Sequence, residues 1–260
     1  MRPIPIQFED VLVSLVFVTV AVAAARWERT GEGRSIVAAA IRAIAQLLAI
    51  GYVIEAVFGI EHLAATAGFI GVMLAFATQI AARRGANVPG GVRVAGTAIT
   101  VASVTVLAAL VGLGVAPPRP QYLVPLAGML IGNSMSACGI ALREIGRDRS
   151  RAAAEIETAL SLGAAPRAAS GDSRRRAMRA ALGPLIDATK AVGVVSLPGA
   201  MTGMILAGVS PLDAVQLQVV VMFMLLAATS VSVLLSVELG TARLFNDKAQ
   251  LVLPAAPGRA

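Results

Sequence analysis

Charged residues, cysteine, histidine and aromatic residues are all scarce in this chain. Charged residues fill 14% of the 260 positions, whereas a soluble domain usually carries about 25%. The one cysteine, Cys138, excludes a disulfide framework within the chain, and its apolar surroundings favour a small buried side chain over a metal ligand or redox switch. The one histidine, His62, lies in a predicted loop and is not expected to bind a metal alone. Because so few aromatic residues accompany the net charge of +7, that charge does not indicate a nucleic-acid partner.

Apolar residues fill the space that charged residues leave. They make up 57% of the chain, and its mean hydropathy is +0.79. This is too much apolar surface for one soluble core, so the sequence predicts an all-α, polytopic membrane protein. A membrane-spanning helix needs about 20 mainly apolar residues, and about seven segments qualify: residues 8–25, 36–58, 63–82, 92–115, 122–142, 185–208 and 214–238. We therefore expect a single transmembrane domain over residues 1–260, with one long loop at about 143–184.

The basic residues predict how this domain is oriented. Eighteen lysines and arginines fall after spans one, three, five and seven, and only Arg2 and Arg119 fall on the opposite side. Cytoplasmic loops carry the excess of lysine and arginine. The N-terminus is therefore expected outside and the C-terminus inside, and the positive charge is explained by topology and by anionic lipid.

The long loop contains a second predicted feature, a helix, a glycine and a short helix in succession. Residues 144–162 have a helical pattern, Gly163 should end that helix because glycine permits a sharp turn, and Pro166 should begin the next one. The spacing resembles that of the cytoplasmic coupling loop of ABC-transporter permeases, and the residues that carry it are Glu157, Ala159, Gly163, Ala164 and Pro166. The alternative is an amphipathic helix lying on anionic lipid, anchored by residues 174–176.

Such a loop would receive its motion from a separate ATPase. The chain has no phosphate-binding loop of the type Gly-x-x-x-x-Gly-Lys-Ser/Thr. We therefore expect this chain to bind no cofactor, and ATP and Mg²⁺ to be used by a partner subunit.

Ionisable and polar residues within spans mark candidate pathway or gating positions, because burying them in a membrane is costly. Arg42 and Gln46 are four residues apart on one face of span two. Asp187 and Lys190, in span six, are close enough to pair. They would either neutralise each other near the cytoplasmic end, with Lys190 reaching toward the surface, or form a gate that changes partners between states. Glu55, near the outer end of span two, is either a cation entry site or an ordinary interfacial carboxylate.

Spans five and six contain the remaining candidates. In span five, polar and sulfur side chains lie at mid-membrane; in span six, a Pro-Gly pair should kink the helix and free backbone carbonyls. Methionines on both spans allow a thioether path for a soft metal, although adaptable packing explains them better. The candidate residues are Asn133, Met135, Pro198, Gly199, Met201 and Thr202; no metal ligands are assigned.

Several segments together resemble the FetB-type permeases, the bacterial iron-export ABC permease family that includes plant membrane proteins linked to aluminium tolerance. The resemblance covers about residues 10–250 and is carried by 42–52, 124–135, 160–169, 179–193 and Ser196-Leu-Pro-Gly-Ala-Met-Thr-Gly203. It implies a multi-pass permease of the bacterial inner membrane that pairs with an ABC ATP-binding subunit and exports iron or another metal ion.

Three functional hypotheses follow from these observations. The first is a permease subunit, which we expect to be a homodimer because seven spans are few for a pathway and two-fold dimers are common. The second is a secondary transporter that couples ions through Asp187, Lys190 or Glu55. The third is a membrane scaffold whose basic loop binds lipid or a protein partner.

Overall fold

The structure is a computed structural model that describes residues 8–28, 31–59 and 63–252. These residues form ten helices and no strand longer than an isolated bridge. Five helical segments are long and apolar enough to cross a membrane, and α1 adds a shorter apolar segment, Val13–Trp27. The five are Gly33–Tyr52, Leu63–Arg84, Gly91–Gly112, Pro120–Asp148 and Pro211–Ala242. The prediction of an all-α, polytopic membrane protein is confirmed; the count of seven spans and the orientation stay predictions.

The chain divides into two compact units. The first contains α1 (Phe8–Trp27) and α2 (Gly33–Gly59), which pack against each other, together with Leu206–Gly208. The second contains the remaining helices, except that the last residue of α9 belongs to the first unit: α3 (Leu63–Arg84), α4 (Gly91–Gly112), α5 (Pro120–Arg151), α6 (Ala153–Ser161), α7 (Pro166–Ala169), α8 (Gly171–Ala191), α9 (Gly199–Leu206) and α10 (Pro211–Ala242).

Helices α3, α4, α5 and α10 form the centre of the second unit. α5 packs against α3, α4 and α10, and α4 also packs against α3 and α10; α8 packs on α5 from outside this group. Alanine is frequent where the helices meet, and Ala81, Ala95, Ala98 and Ala141 are fully buried. Small side chains allow helix axes to approach closely, which is how helices associate in a membrane without a hydrophobic driving force between them.

The packed interior of this unit has two apolar clusters, one toward each end of the long helices. The basic-end cluster lies toward Arg83, Arg84 and Arg143 and includes Ala81, Ala95, Cys138, Leu142 and Val237. The far-end cluster lies toward the C-terminus of α4 and the N-terminus of α10 and includes Leu110, Ala116, Leu130, Val221 and Leu225. Cys138 is fully buried among apolar neighbours in the basic-end cluster.

The predicted sixth span, residues 185–208, is not one kinked helix. α8 ends at Ala191, α9 begins at Gly199, and the intervening residues are irregular. Gly193 adopts a left-handed conformation with φ +83° and donates its backbone N–H to the carbonyl of Ser196 at 2.9 Å. The break therefore comes before Pro198, because a left-handed residue cannot continue a right-handed helix and the residue preceding a proline disfavours helical geometry.

Candidate functional site

The helical bracket, defined here as α6, the turn at 162–165 and α7, contains every residue of the predicted coupling loop. Gly163 has φ +87°. Its backbone N–H donates to the carbonyl of Leu160 at 3.0 Å, and the N–H of Ala164 donates to the carbonyl of Ala159 at 3.0 Å. These two bonds form a Schellman cap, which satisfies the last carbonyls of a helix and requires a left-handed residue. The spacing from Ala159 to Gly163 and Ala164 is therefore the spacing of a helix C-cap.

A new helix begins immediately after this cap. Ala165 is extended and Pro166 occupies the first turn of α7, where a missing backbone N–H costs nothing. The hydroxyl of Ser170 donates to the carbonyl of Pro166 at 2.8 Å and closes the short helix at its other end. The predicted glycine break and the proline-initiated helix are both present in the structure.

The bracket has an inner face and an outer face. Ile156, on the inner face, is 2% exposed. Glu157 points outward and Leu162, at the turn, is 83% exposed. An exposed leucine and an exposed carboxylate on one bracket offer a partner protein both an apolar contact and a charge.

One carboxylate connects this bracket to the last long helix. Glu238 of α10 accepts a hydrogen bond from Arg167 of α7 at 2.9 Å, and a second from Arg174 of α8. The Arg174 side chain is largely buried, at 13% exposed, whereas that of Arg167 is 76% exposed. Burial, and secondarily the positive charge of Arg167, lower the pKa of Arg174, so Glu238 supplies the counter-charge that keeps this buried guanidinium paired.

A second ion pair connects the same region to α5. Arg176 of α8 reaches Asp148 with two nitrogens, Nε at 3.1 Å and Nη2 at 3.0 Å, and the Asp148 side chain is only 14% exposed. Arg176 also donates to the Ser173 hydroxyl at 3.2 Å. The start of α8 is thus held to α5 and α10 by charges of opposite sign.

Two grooves lie beside the bracket. One, of about 230 Å³, is lined by Pro166, Arg167, Arg174, Glu238 and Phe245 among others. The other, of about 770 Å³, separates the bracket from the segment Lys248–Leu251. That segment turns back on itself through the bridge between Phe245 and Leu251, and both of these side chains pack against the basic-end cluster.

The predicted pathway residues are distributed over both compact units. Arg42 and Gln46 are exposed on α2 in the first unit. Asn133 and Met135 are half-buried on α5, and the Asn133 amide donates to the carbonyl of Met129 one turn earlier, at 2.9 Å. The side chain of Glu55 and the residue His62 lie outside the described residues.

The remaining predicted residues lie on α8, α9 and the break between them. Lys190 Nζ is 3.7 Å from Asp187 Oδ1, so the predicted pair forms. Met201 is buried, whereas Thr202 is exposed and donates to the carbonyl of Pro198 at 3.2 Å. Gly199 begins α9 and is exposed.

A cavity at the far end brings three methionines together. It measures about 200 Å³, and Met129 of α5, Met204 of α9 and Met224 of α10 line it together with Gln218. The side-chain oxygen of Gln218 is buried there with no hydrogen-bond partner. Within the described ranges, no group of three histidine, cysteine, aspartate or glutamate side chains is placed to hold a metal ion.

The structure reveals two residues that the sequence reasoning overlooked, Glu238 and Asp148. A signal for Glu238 was available, because it is a carboxylate within a predicted span and ionisable residues in spans usually pair with an opposite charge. Its partners are 71 and 64 residues away in sequence, so no local pattern identifies them.

The fold and the bracket define a class, the polytopic helical membrane proteins with a helix–turn–helix bracket held against the ends of their long helices. The chain belongs to the family described as "Uncharacterised protein family (UPF0014)", whose model matches residues 8–245.

Relatives of the chain occur in plants and bacteria. It is 39% identical over 234 residues to the UPF0014 membrane protein STAR2 of Oryza sativa subsp. japonica, covering 90% of this chain and 82% of that protein. It is 40% identical over 214 residues to the protein ALUMINUM SENSITIVE 3 of Arabidopsis thaliana, covering 81% and 77%. It is 34% identical over 245 residues to the probable iron export permease protein FetB of Escherichia coli strain K12, covering 94% and 95%. No solved structure matches the chain.

Proposed function

We propose that this chain is the membrane-spanning permease subunit of an ABC transporter, driven by a separate ATP-binding subunit. The observation that carries the proposal is the bracket, with its left-handed Gly163 and its outward-facing Glu157 and Leu162. A short helix after a sharp turn, with an exposed outer face, suits insertion into a groove on a partner protein. In this role the chain itself binds no nucleotide.

The ion pairs give the bracket a route to the membrane helices. Glu238 ties it to α10, and Asp148 ties the following helix to α5. A rigid-body movement of the partner ATPase would therefore pull on two long helices together. Ion pairs between rigid, packed helices can carry coupled motion of this kind.

The proposed substrate follows from the description of one relative of this chain. The relative FetB is described as a probable iron export permease, and we propose that this chain likewise exports iron or another metal ion. We place it, as a single permease domain over residues 1–260, in a homodimer in the bacterial inner membrane. A dimer would supply the second half of a pathway and the usual closed symmetry.

Reconstitution with the ATPase tests this proposal. The chain would be co-purified with its candidate ATPase, placed in lipid vesicles, and assayed for ATP hydrolysis with and without ferrous iron. Iron-stimulated hydrolysis that is lost on Gly163→Pro would support both the coupling and the substrate. A stable complex whose hydrolysis ignores iron would leave the permease role and remove iron as the substrate. Absence of any complex would overturn the permease proposal.

A further inference from the structure

The Asp187–Lys190 pair on α8 is unusual because both charges face outward from the protomer. Their nitrogen and oxygen lie 3.7 Å apart, and the two side chains are 78% and 73% exposed. On a soluble protein this would be an ordinary surface pair. On a membrane helix its significance depends on its depth.

The packing of α8 gives that depth. Leu182 packs against the basic-end cluster, and Leu185, one turn further, packs against the far-end cluster. α8 therefore passes the boundary between the two clusters at these residues. At 1.5 Å per residue, Asp187 lies about 12 Å along the helix from Arg179, the last arginine of α8. The pair thus lies near the middle of the apolar depth of the unit, away from the basic end.

Lipid is a poor environment for a pair at this depth. A lysine can extend its long stem toward the membrane surface, but an aspartate side chain is too short to do so. Charged residues in spans therefore face the interior of a bundle or a water-filled cavity. Asp187 faces neither within its own unit, so something beyond that unit must cover it.

The neighbouring backbone leads to the same requirement. The irregular segment 192–198 follows the pair directly, and Val194 and Val195 are 90% and 83% exposed. Non-helical backbone at membrane depth is tolerated only where protein covers it or where it lines a cavity. Charged and irregular features thus adjoin on one surface, which we call the mid-depth face: Ile186, Asp187, Lys190, Val194 and Val195.

A second copy of this chain matches the mid-depth face in charge. The face carries one charge of each sign, three residues apart on one helix. When two such faces meet about a two-fold axis, the same patch is present on both sides, and each acid finds a base on its own helix and another across the axis. Exposed valine and isoleucine side chains surround these charges and would exclude lipid from them.

We propose that the mid-depth face is where two copies of this chain meet, with Asp187 of each copy facing Lys190 of the other. The four charges form a neutral cluster between the copies at mid-membrane. This proposal rests on the permease dimer proposed above and gives that dimer a surface. Asp187 and Lys190 therefore have all of their charge partners only in the dimer.

Mixed dimers of charge variants test the pairing directly. A copy with Asp187→Lys carries two positive charges on this face, and a copy with Lys190→Asp carries two negative charges. The two would be co-expressed with different affinity tags, and mixed and like pairs would be counted after sequential purification in detergent. If the charges meet between copies, like pairs repel while mixed pairs attract, and we expect the ratio of mixed to like pairs to exceed that of tagged wild-type copies by about tenfold.

A matched control lies on the same helix. Asp172 and Arg175 have the same three-residue spacing and the same order of charges, but they lie at the basic end. The corresponding pair of copies, Asp172→Lys with Arg175→Asp, should assemble in the wild-type ratio. A wild-type ratio for the variants at 187 and 190 as well would overturn the proposal, as would a wild-type protein that is monomeric in lipid.

Cysteine cross-linking covers the case in which a charge variant fails to accumulate. In a Cys138→Ala background, which lacks other cysteines, Asp187→Cys should form disulfide-linked dimers in oxidised membranes. Val104→Cys on α4, which is 48% exposed and apolar, should not. Cross-links from position 187 to Arg42→Cys of the same chain, in place of dimers, would assign the face to α2 and overturn the proposal. Neither assay requires the ATPase, so failure of the dimer surface is distinguishable from failure of the permease role.

Discussion

Arg174, near the start of α8, is hydrogen bonded to Glu238, near the end of α10, across 64 residues of sequence. Because Arg167 shares the same carboxylate, one side chain holds both the bracket and the helix that follows it. The two arginines belong to different helices, α7 and α8, and both pair with this one carboxylate. Glu238 is therefore the residue whose loss should loosen the bracket most.

The variant Glu238→Gln should free the bracket while leaving the helices folded. Glutamine keeps the size of the side chain but removes the charge that pairs with the largely buried Arg174. Since the Glu238 side chain is 27% exposed, solvent screens part of the loss, and we expect a local cost of about 1 kcal/mol. Hydrogen exchange of the amides at 168–174 should then be about fivefold faster.

Glu144→Gln is the matched control for this experiment. The Glu144 side chain is similarly exposed, at 28%, but it pairs with Arg147 one turn away on its own helix. Exchange at 168–174 should stay at the wild-type rate in this variant. Equal acceleration in both variants would show that Glu238 does not hold the bracket.

The turn at Gly163 should be sensitive to a single methyl group. Gly163→Ala places a side chain at φ +87°, where an L-residue is disfavoured by roughly 1–2 kcal/mol, although no atom lies within 4 Å of the added carbon. The Schellman cap should shift and α7 should change direction. We expect the partner ATPase to lose most of its stimulation by the permease, measured as ATP turnover in vesicles.

Gly90→Ala separates the effect of strain from the effect of position. Gly90 has φ +66° and is equally free of close neighbours, but it lies in the turn between α3 and α4. Both variants should lose similar thermal stability, and only Gly163→Ala should lose coupling. Normal stimulation in Gly163→Ala would count against the bracket as the coupling element.

Sequence reasoning succeeded where structure is set locally. Gly163 and Pro166 determine a helix end and a helix start within a few residues, so the bracket was predictable. The long apolar helices were predictable from length and composition. By contrast, the break at 192–198 depends on the left-handed Gly193, and the sequence directed attention to Pro198 instead. The partners of Glu238 depend on how α7, α8 and α10 pack, and no short pattern records that packing.

The Asp148–Arg176 pair should contribute measurably to stability, whereas the Asp172–Arg175 pair within α8 should not. Arg176→Ala leaves the largely buried Asp148 without its cation, and hydrogen bonds to charged groups contribute about 1.5–3 kcal/mol; partial exposure of Arg176 places the expected loss near the lower limit. Arg175→Ala removes only an exposed pair within α8, with side chains 65% and 72% exposed, so we expect no significant change. Thermal unfolding in detergent measures both, and equal midpoints for the two variants would contradict the assignment of Arg176 as the link to α5.

The contact between Gly85 and Leu142 should limit which residue position 85 accepts. A methyl group on Gly85 would overlap the Cβ of Leu142, a fully buried residue of α5 whose Cβ moves only with the helix backbone. Gly85→Ala should therefore force α3 and α5 apart and destabilise the protein by about 1–3 kcal/mol, seen as a lower unfolding midpoint.

Gly139→Ala is the comparison, because its added methyl would meet Arg84 Cδ at 2.8 Å. The Arg84 side chain is exposed and free to swing aside, and alanine improves helix propensity by up to about 1 kcal/mol, so this variant should unfold at or near the wild-type midpoint. Equal losses in the two variants would show that backbone spacing, and not the rigidity of the neighbour, decides the cost at both positions.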